Sequence, residues 1–148
     1  MTTRNYWIGV VSKIQVEAAV AGGFMQFNYG RAGPLERMRE GDGVAFYSPR
    51  TDYPEGDRVQ AFTAIGRVAN GSIFQGEPAD GVTPFRRTAA YFSAHDAPIK
   101  PLLEVLTFIR NKDHWGATFR FGAVRVPAED FARIAAAMGR DFATDFPP

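Results

Sequence analysis

Apolar and polar positions alternate along this chain in short blocks, broken by glycine and proline. Residues 6–11, Tyr-Trp-Ile-Gly-Val-Val, form an apolar run rich in aromatic and β-branched residues and predict a buried strand. Residues 14–20 suit a helix that starts near Ser12 or Lys13 and stops at Gly22-Gly23, because glycine accepts the left-handed conformation beyond a helix end. Residues 24–27 alternate and predict a second short strand. A loop follows over 28–34, and Pro34 opens a short helix over 35–39. Gly41-Asp42-Gly43 predicts a turn, 44–48 a strand and 49–56 a polar loop. Residues 60–68 predict a longer strand with Phe62, Ala64, Gly66 and Val68 on one face.

Residues 71–84 read as an irregular connection and 85–93 as a strand. The apolar cluster in 98–109 predicts a short helix, and 123–126 a last strand. Residues 127–138 carry the clearest helix, with Pro127 at its first position and Glu129 and Asp130 in the first turn, where the helix dipole favours acids. Phe131, Ile134, Ala135 and Met138 repeat at the spacing of a buried stripe, and Gly139 ends the helix. Strands do not alternate with crossover helices, so a doubly wound parallel sheet is not expected. The pattern predicts an α+β fold: a curved mixed sheet or partly closed barrel of five to six strands with packed helices.

The 148 residues, 45% of them apolar, fit a single domain over 1–148 with its own core. Without cysteine, disulfides, thiolate metal sites and cysteine nucleophiles are excluded. His95 and His114 are too far apart for a helical metal pair, and no zinc-helix or calcium-loop pattern occurs, so neither metal nor cofactor is expected. No serine elbow, phosphate loop or paired carboxylates appear, which argues against a built-in catalytic centre. No signal segment or membrane span is evident, and a cytoplasmic location is expected. Net charge is only +1, but a basic stretch runs from Arg86 to Arg125. It is either a solvated face or a source of phosphate contacts.

Chemistry gathers where loops meet strands: Val11-Ser12-Lys13, Phe27-Asn28-Tyr29-Gly30-Arg31, Tyr47-Ser48-Pro49-Arg50, and the 108–116 segment ending in His114-Trp115-Gly116. Such a set can hold a flat heteroaromatic group. Rings stack on it, amides and hydroxyls read its polar edge, and cations meet a phosphate. The alternative for each ring is core packing. Trp7, inside an apolar run, favours the core; Trp115, in a polar stretch, is open to either reading.

Taken together, Tyr6-Trp7-Ile8-Gly9-Val10-Val11-Ser12-Lys13, Pro34-Leu35-Glu36-Arg37, Gly41-Asp42, Tyr47-Ser48-Pro49 and Gln60-Ala61-Phe62-Thr63-Ala64-Ile65-Gly66 resemble the EVE domain family. So do Phe108-Ile109-Arg110, Trp115-Gly116 and Phe119-Arg120, and the likeness to its single-domain bacterial members spans nearly the whole chain. The resemblance implies a PUA-like fold, related to YTH and ASCH domains, whose pocket accepts a nucleobase that is often modified. EVE domains are associated with modified cytosines in DNA, frequently as fusions to restriction components. Carried over by position, the nucleobase would meet Ser12, Lys13, Asn28, Tyr29, Gly30, Tyr47, Ser48 and Pro49, with Trp115 closing the pocket. Arg31, Arg50, Arg110, Lys112 and Arg120 are the candidates for phosphate contact. Many relatives place a histidine and a lysine where Tyr29 and Arg31 stand here. Arg31 keeps the charge in a different hydrogen-bonding geometry, so the ligand can differ from theirs. The expectation is a non-catalytic reader of a modified base in DNA or RNA. An enzyme acting on a small nucleotide or nucleoside, or a protein-binding adaptor, are the alternatives.

Overall fold

The computed structural model describes residues 3–27, 30–119 and 122–148. Its centre is a curled mixed sheet that forms a half-barrel. The strands are β1 (Tyr6–Val10), β2 (Phe24–Met25), β3 (Gly43–Arg50), β4 (Arg58–Val68), β5 (Phe74–Gln75), β6 (Phe85–Tyr91), β7 (Ala97–Pro98) and β8 (Ala123–Val126). They run in the order β2-β6-β4-β3-β1-β8, with β5 pairing β6 and β7 pairing β4. Five of them are four residues or longer, in line with the expected α+β half-barrel; the other three are two-residue pairings. β1 pairs β3 in parallel, and β1–β8, β3–β4 and β4–β6 are antiparallel. The helices are α1 (Lys13–Gly22), α2 (Gly33–Glu36), α3 (Ala128–Ala137) and α4 (Phe142–Asp145).

Each face of the sheet carries its own core. In β1, Tyr6, Ile8 and Val10 point into a core with α3, α4, Leu106, Ile109 and Phe119. Trp7 points the other way, into a second core with Val11, Val16 of α1, Met25, Phe27, Leu35, Val44 and Phe46. The whole of β1 is therefore buried, as its unbroken apolar run requires. The α3 stripe of Phe131, Ile134, Ala135 and Met138 is fully buried, as its spacing predicts.

Five sequence expectations are corrected. The single face assigned to Phe62, Ala64, Gly66 and Val68 is split by a bulge: Phe46 pairs Ala64 but Tyr47 pairs Phe62, which leaves Thr63 extra. Phe62 consequently joins the α3 side and Ala64 and Val68 the α1 side. β3 continues through Pro49, which sits at a second irregularity, where its missing N–H is not needed. The helix expected over 98–109 is a 3-10 turn, Lys100–Leu102. Turn bonds from Val105 and Leu106 to Leu102 O follow, and helix does not continue beyond them: the backbone N–H groups of Thr107 and Phe108 donate to the buried Asp130 carboxylate (3.1 and 2.9 Å) instead of to carbonyls a turn earlier. Pro127 caps α3 in an extended conformation instead of occupying its first turn, and α2 ends at Glu36, short of Arg39. Among the described residues no helix is long and apolar enough to cross a membrane.

Candidate nucleobase cleft

The α1 side of the sheet holds a cleft of about 270 Å³. This approaches the lower end of small-molecule pockets, roughly 300 Å³. Its walls are Gln15 of α1, Gln26, Phe27 and Gly30 after β2, Tyr53 of the β3–β4 loop, and Ala79, Asp80, Val82 and Pro84 before β6.

Local sequence explains how these segments meet. Gly9 faces this side of the sheet, and a Cβ there would stand 2.6 Å from atoms of both the Phe27 and Phe46 rings. Only glycine lets Phe27 lie on the strand and make an apolar floor. The chain then turns at Gly30, whose φ is 62° and whose Cβ would stand 2.5 Å from Cα of Pro84. That close approach sets Gly30 against the 79–84 segment. The latter is a tight turn, closed by Ala79 and Val82 exchanging backbone hydrogen bonds of 2.8 and 2.9 Å across Asp80-Gly81. Positive φ at both central residues matches a hairpin turn. The 51–57 loop is braced in its turn: Thr51 N donates to Asp57 O, Asp57 N donates to the Thr51 hydroxyl, and Ile14 N donates to Thr51 O. Tyr53 projects from this braced loop and is 66% exposed.

Ser12 carries the most informative polar atom. It caps α1, yet its hydroxyl makes no capping hydrogen bond. The residue is only 6% exposed, and Oγ has no hydrogen-bond partner among the described residues. Buried hydroxyls are normally paired, because an unpaired one costs on the order of 1–3 kcal/mol. Ser12 lies one helical turn before Gln15, which lines the cleft.

The other candidates divide between the two faces. Lys13 forms a 2.7 Å ion pair with Asp96, which raises its pKa through that hydrogen bond. Gly30 is part of the cleft, and the exposed Arg31 follows it. Ser48 is fully buried and shares a 2.7 Å hydrogen bond with Thr63 at the bulge. Half-buried Pro49 and exposed Arg50 lead into the 51–57 loop, where Arg50 donates to Gly56 O. Tyr47 instead points to the α3 side, 2% exposed, stacked on Phe119 at 4.3 Å and edge-on to Trp115 at 6.3 Å. Burial pushes its phenol pKa well above the ordinary tyrosine range. Trp115, half-buried, packs in that same α3-side cluster. Exposed Arg110 and half-buried Lys112, which donates to Leu106 O, follow the segment packed in that core. Asn28, Tyr29 and Arg120 lie outside the described residues. Trp7 is core: its indole N–H donates to the buried Asp42 carboxylate at 3.0 Å.

Gln15, Gln26, Tyr53 and Asp80 were not singled out from sequence. Isolated glutamines, an exposed loop tyrosine and a turn aspartate carry no pattern that marks a site. The basic stretch is partly structural, since Arg87 donates to Leu35 O and Met38 O. Among the described residues no group of three metal-ligating side chains is gathered.

The EVE domain family model matches residues 5–137. UPF0310 protein msl3206 of Mesorhizobium japonicum is 49% identical over 136 residues, 90% of this chain and 91% of that protein. UPF0310 protein YdcG of Bacillus subtilis is 41% identical over 91% of this chain and 92% of its own. The crystal structure of protein Atu2648 from Agrobacterium tumefaciens superposes with a TM-score of 0.58 at 15% identity, covering 97% and 99% of the two chains, a likeness of fold alone.

Proposed function

Because the chain belongs to the EVE domain family, PUA-like domains that are generally non-catalytic and often bind nucleic acids, we propose that it binds DNA or RNA by taking a modified nucleobase into the cleft between α1, residues Gln26, Phe27 and Gly30, and the 79–84 turn. The observation that carries this reading is the cleft itself, walled by Gln15, Gln26, Phe27, Gly30, Tyr53 and Asp80, with the buried, unpaired Ser12 hydroxyl one helical turn before Gln15. The exposed Tyr53 ring offers a face for stacking over the apolar floor that Phe27 provides. Gln15, Gln26 and Asp80 provide donors and acceptors for the base edge, as base readout requires. Arg31 and Arg50 adjoin the cleft segments along the chain and are the phosphate contacts of this reading, ahead of Arg110 and Lys112 on the other core's side. The domain acts as a reader without a reaction of its own.

The test is a titration with single-stranded and duplex oligonucleotides carrying one central modified cytosine or adenine, each against its unmodified twin at moderate salt. The expected result is at least a tenfold preference for one modified strand. Equal affinity for every strand overturns the proposal, and turnover of a nucleoside would replace it with an enzyme.

A further inference from the structure

Gln26 lines the cleft, and its carboxamide has its direction already fixed. Its Oε1 accepts a 2.7 Å hydrogen bond from Nε of Arg86. Arg86 is itself held on two sides. Its guanidinium lies over the Phe24 ring, 4.0 Å from the centroid. Gly76 fits against it so closely that a Cβ there would stand 2.4 Å from Nε and 2.5 Å from Cζ. The strands enforce this: Arg86 pairs Phe74 of β5, and Arg87 pairs Met25 of β2, so Arg86 is set between the segments that carry Gly76 and Gln26. A guanidinium has no acceptor, so it can only engage the oxygen of the amide. The group Gln26 can offer to the cleft is thereby its NH2 donor.

We propose that Gln26 is a specificity-determining residue of the cleft, that it reads a hydrogen-bond acceptor on the base edge (a carbonyl oxygen or an unprotonated ring nitrogen), and that Arg86 is the positioning residue that keeps the amide from flipping. This inference rests on the nucleobase reading of the cleft. An unrestrained glutamine satisfies a donor or an acceptor by turning over. A clamped one penalises a ligand that presents an amino group there, since two donors then face each other and a buried polar group goes unpaired. Discrimination arises from the clamp as much as from the glutamine.

The experiment measures dissociation constants for single-stranded DNA with one central cytosine, 5-methylcytosine, adenine, N6-methyladenine or thymine. The proteins are the wild type, Gln26→Glu, Arg86→Met and Arg86→Lys, each checked for an unchanged thermal midpoint under the conditions used. Gln26→Glu replaces the donor by an acceptor and is expected to weaken the best wild-type strand at least tenfold. Arg86→Met keeps an apolar stem over Phe24 but frees the amide. It is expected to narrow the ratio between best and worst strands at least threefold, mainly by improving the worst, with the ratio partly restored in Arg86→Lys. A purely structural role for Arg86 lowers the midpoint and weakens all strands alike, and that result overturns the inference. So does an unchanged ratio in both Gln26→Glu and Arg86→Met while Ser12→Ala still weakens binding; the cleft would then hold a base without this readout. A wild type that ranks no strand above another removes the nucleobase reading and this inference with it.

Discussion

Replacing Ser12 by alanine should move stability and affinity in opposite directions. Serine at a helix N-cap ordinarily contributes about 0.5–2 kcal/mol through its side-chain hydrogen bond. Ser12 makes no such bond, so that contribution is absent here. What the hydroxyl does is remain buried and unpaired, at a cost of about 1–3 kcal/mol in the ligand-free protein. Ser12→Ala removes the cost and creates a void of a single oxygen atom, so unfolding free energy should rise by about 0.5–1.5 kcal/mol. On the proposed reading, a base that reaches this hydroxyl from the cleft gives it a partner in the wild type and not in the variant. Binding should therefore weaken by about 1–2 kcal/mol, roughly five- to thirtyfold. Urea unfolding of the free protein gives the first number from the midpoint at constant slope. A fluorescence anisotropy titration against the preferred strand gives the second. A stability loss of about 1 kcal/mol with unchanged affinity would mean that the hydroxyl caps α1 in solution. The cleft would then have no unsatisfied group calling for a ligand, and the reasoning from Ser12 would be wrong.

Four further outcomes are expected. Asp42→Ala should destabilise by about 3 kcal/mol or more, because the Trp7 indole and the backbone N–H groups of Asn5 and Arg39 all donate to that buried carboxylate; a urea-unfolding loss below about 1 kcal/mol contradicts this. Gly30→Ala places a Cβ against Pro84 at positive φ and should cost about 2–4 kcal/mol in unfolding free energy, with weaker strand binding; a neutral result would show that the two cleft walls are not in contact. Arg140 hydrogen-bonds Asp145 and holds its carboxyl below the usual 3.8, so this stabilisation is complete above that pH and lost as pH falls through the lower folded value. Arg140→Gln should accordingly shift the acid-unfolding midpoint, followed by circular dichroism, to higher pH, and an unmoved midpoint refutes the coupling. Finally, with Arg31 and Arg50 as the phosphate contacts, the slope of log affinity against log salt on single-stranded DNA should be about −1.4, at roughly −0.7 per phosphate; a slope steeper than about −4 would place a larger basic surface in contact.

What the sequence made legible was whatever local pattern controls. The α3 stripe, the β8 boundaries, the start of α1 and its stop at Gly23 follow from periodicity and capping alone. The misjudged elements depend on partners far away in the chain. Nothing within 98–109 announces that Asp130 will take the N–H groups a helix would need. Nothing within 60–68 announces that Thr63 will bulge against β3 and bond Ser48, though the bulge decides which core receives Phe62. The same limit governs the site. Ser12 and Gly30 were legible because loops at strand ends concentrate chemistry. Tyr47 and Ser48 are neighbours in sequence, yet the pleat sends their side chains to opposite faces, so one polar-aromatic block supplies two separate places.

On the proposed reading, that division bears on how the domain would recognise a nucleic acid. The loops that build the cleft carry Asp52, Glu55, Asp57, Glu77 and Asp80 beside Arg31, Arg50 and Arg58, and the whole chain has a net charge of only +1. A rim of mixed sign gives a phosphate backbone little general attraction. Several of the basic side chains are also committed within the fold: Arg86 to Gln26, Arg87 to the carbonyls of α2 and its exit, and Lys112 to Leu106. Affinity for the right strand then has to come from the base itself, through stacking and the polar edge. A fixed, partly unsatisfied cleft serves that end better than a basic groove, because a base that leaves Ser12 unpaired or meets the Gln26 donor with another donor loses more than it gains from phosphate contacts. Such a domain would bind weakly to nucleic acid in general and discriminate sharply among bases.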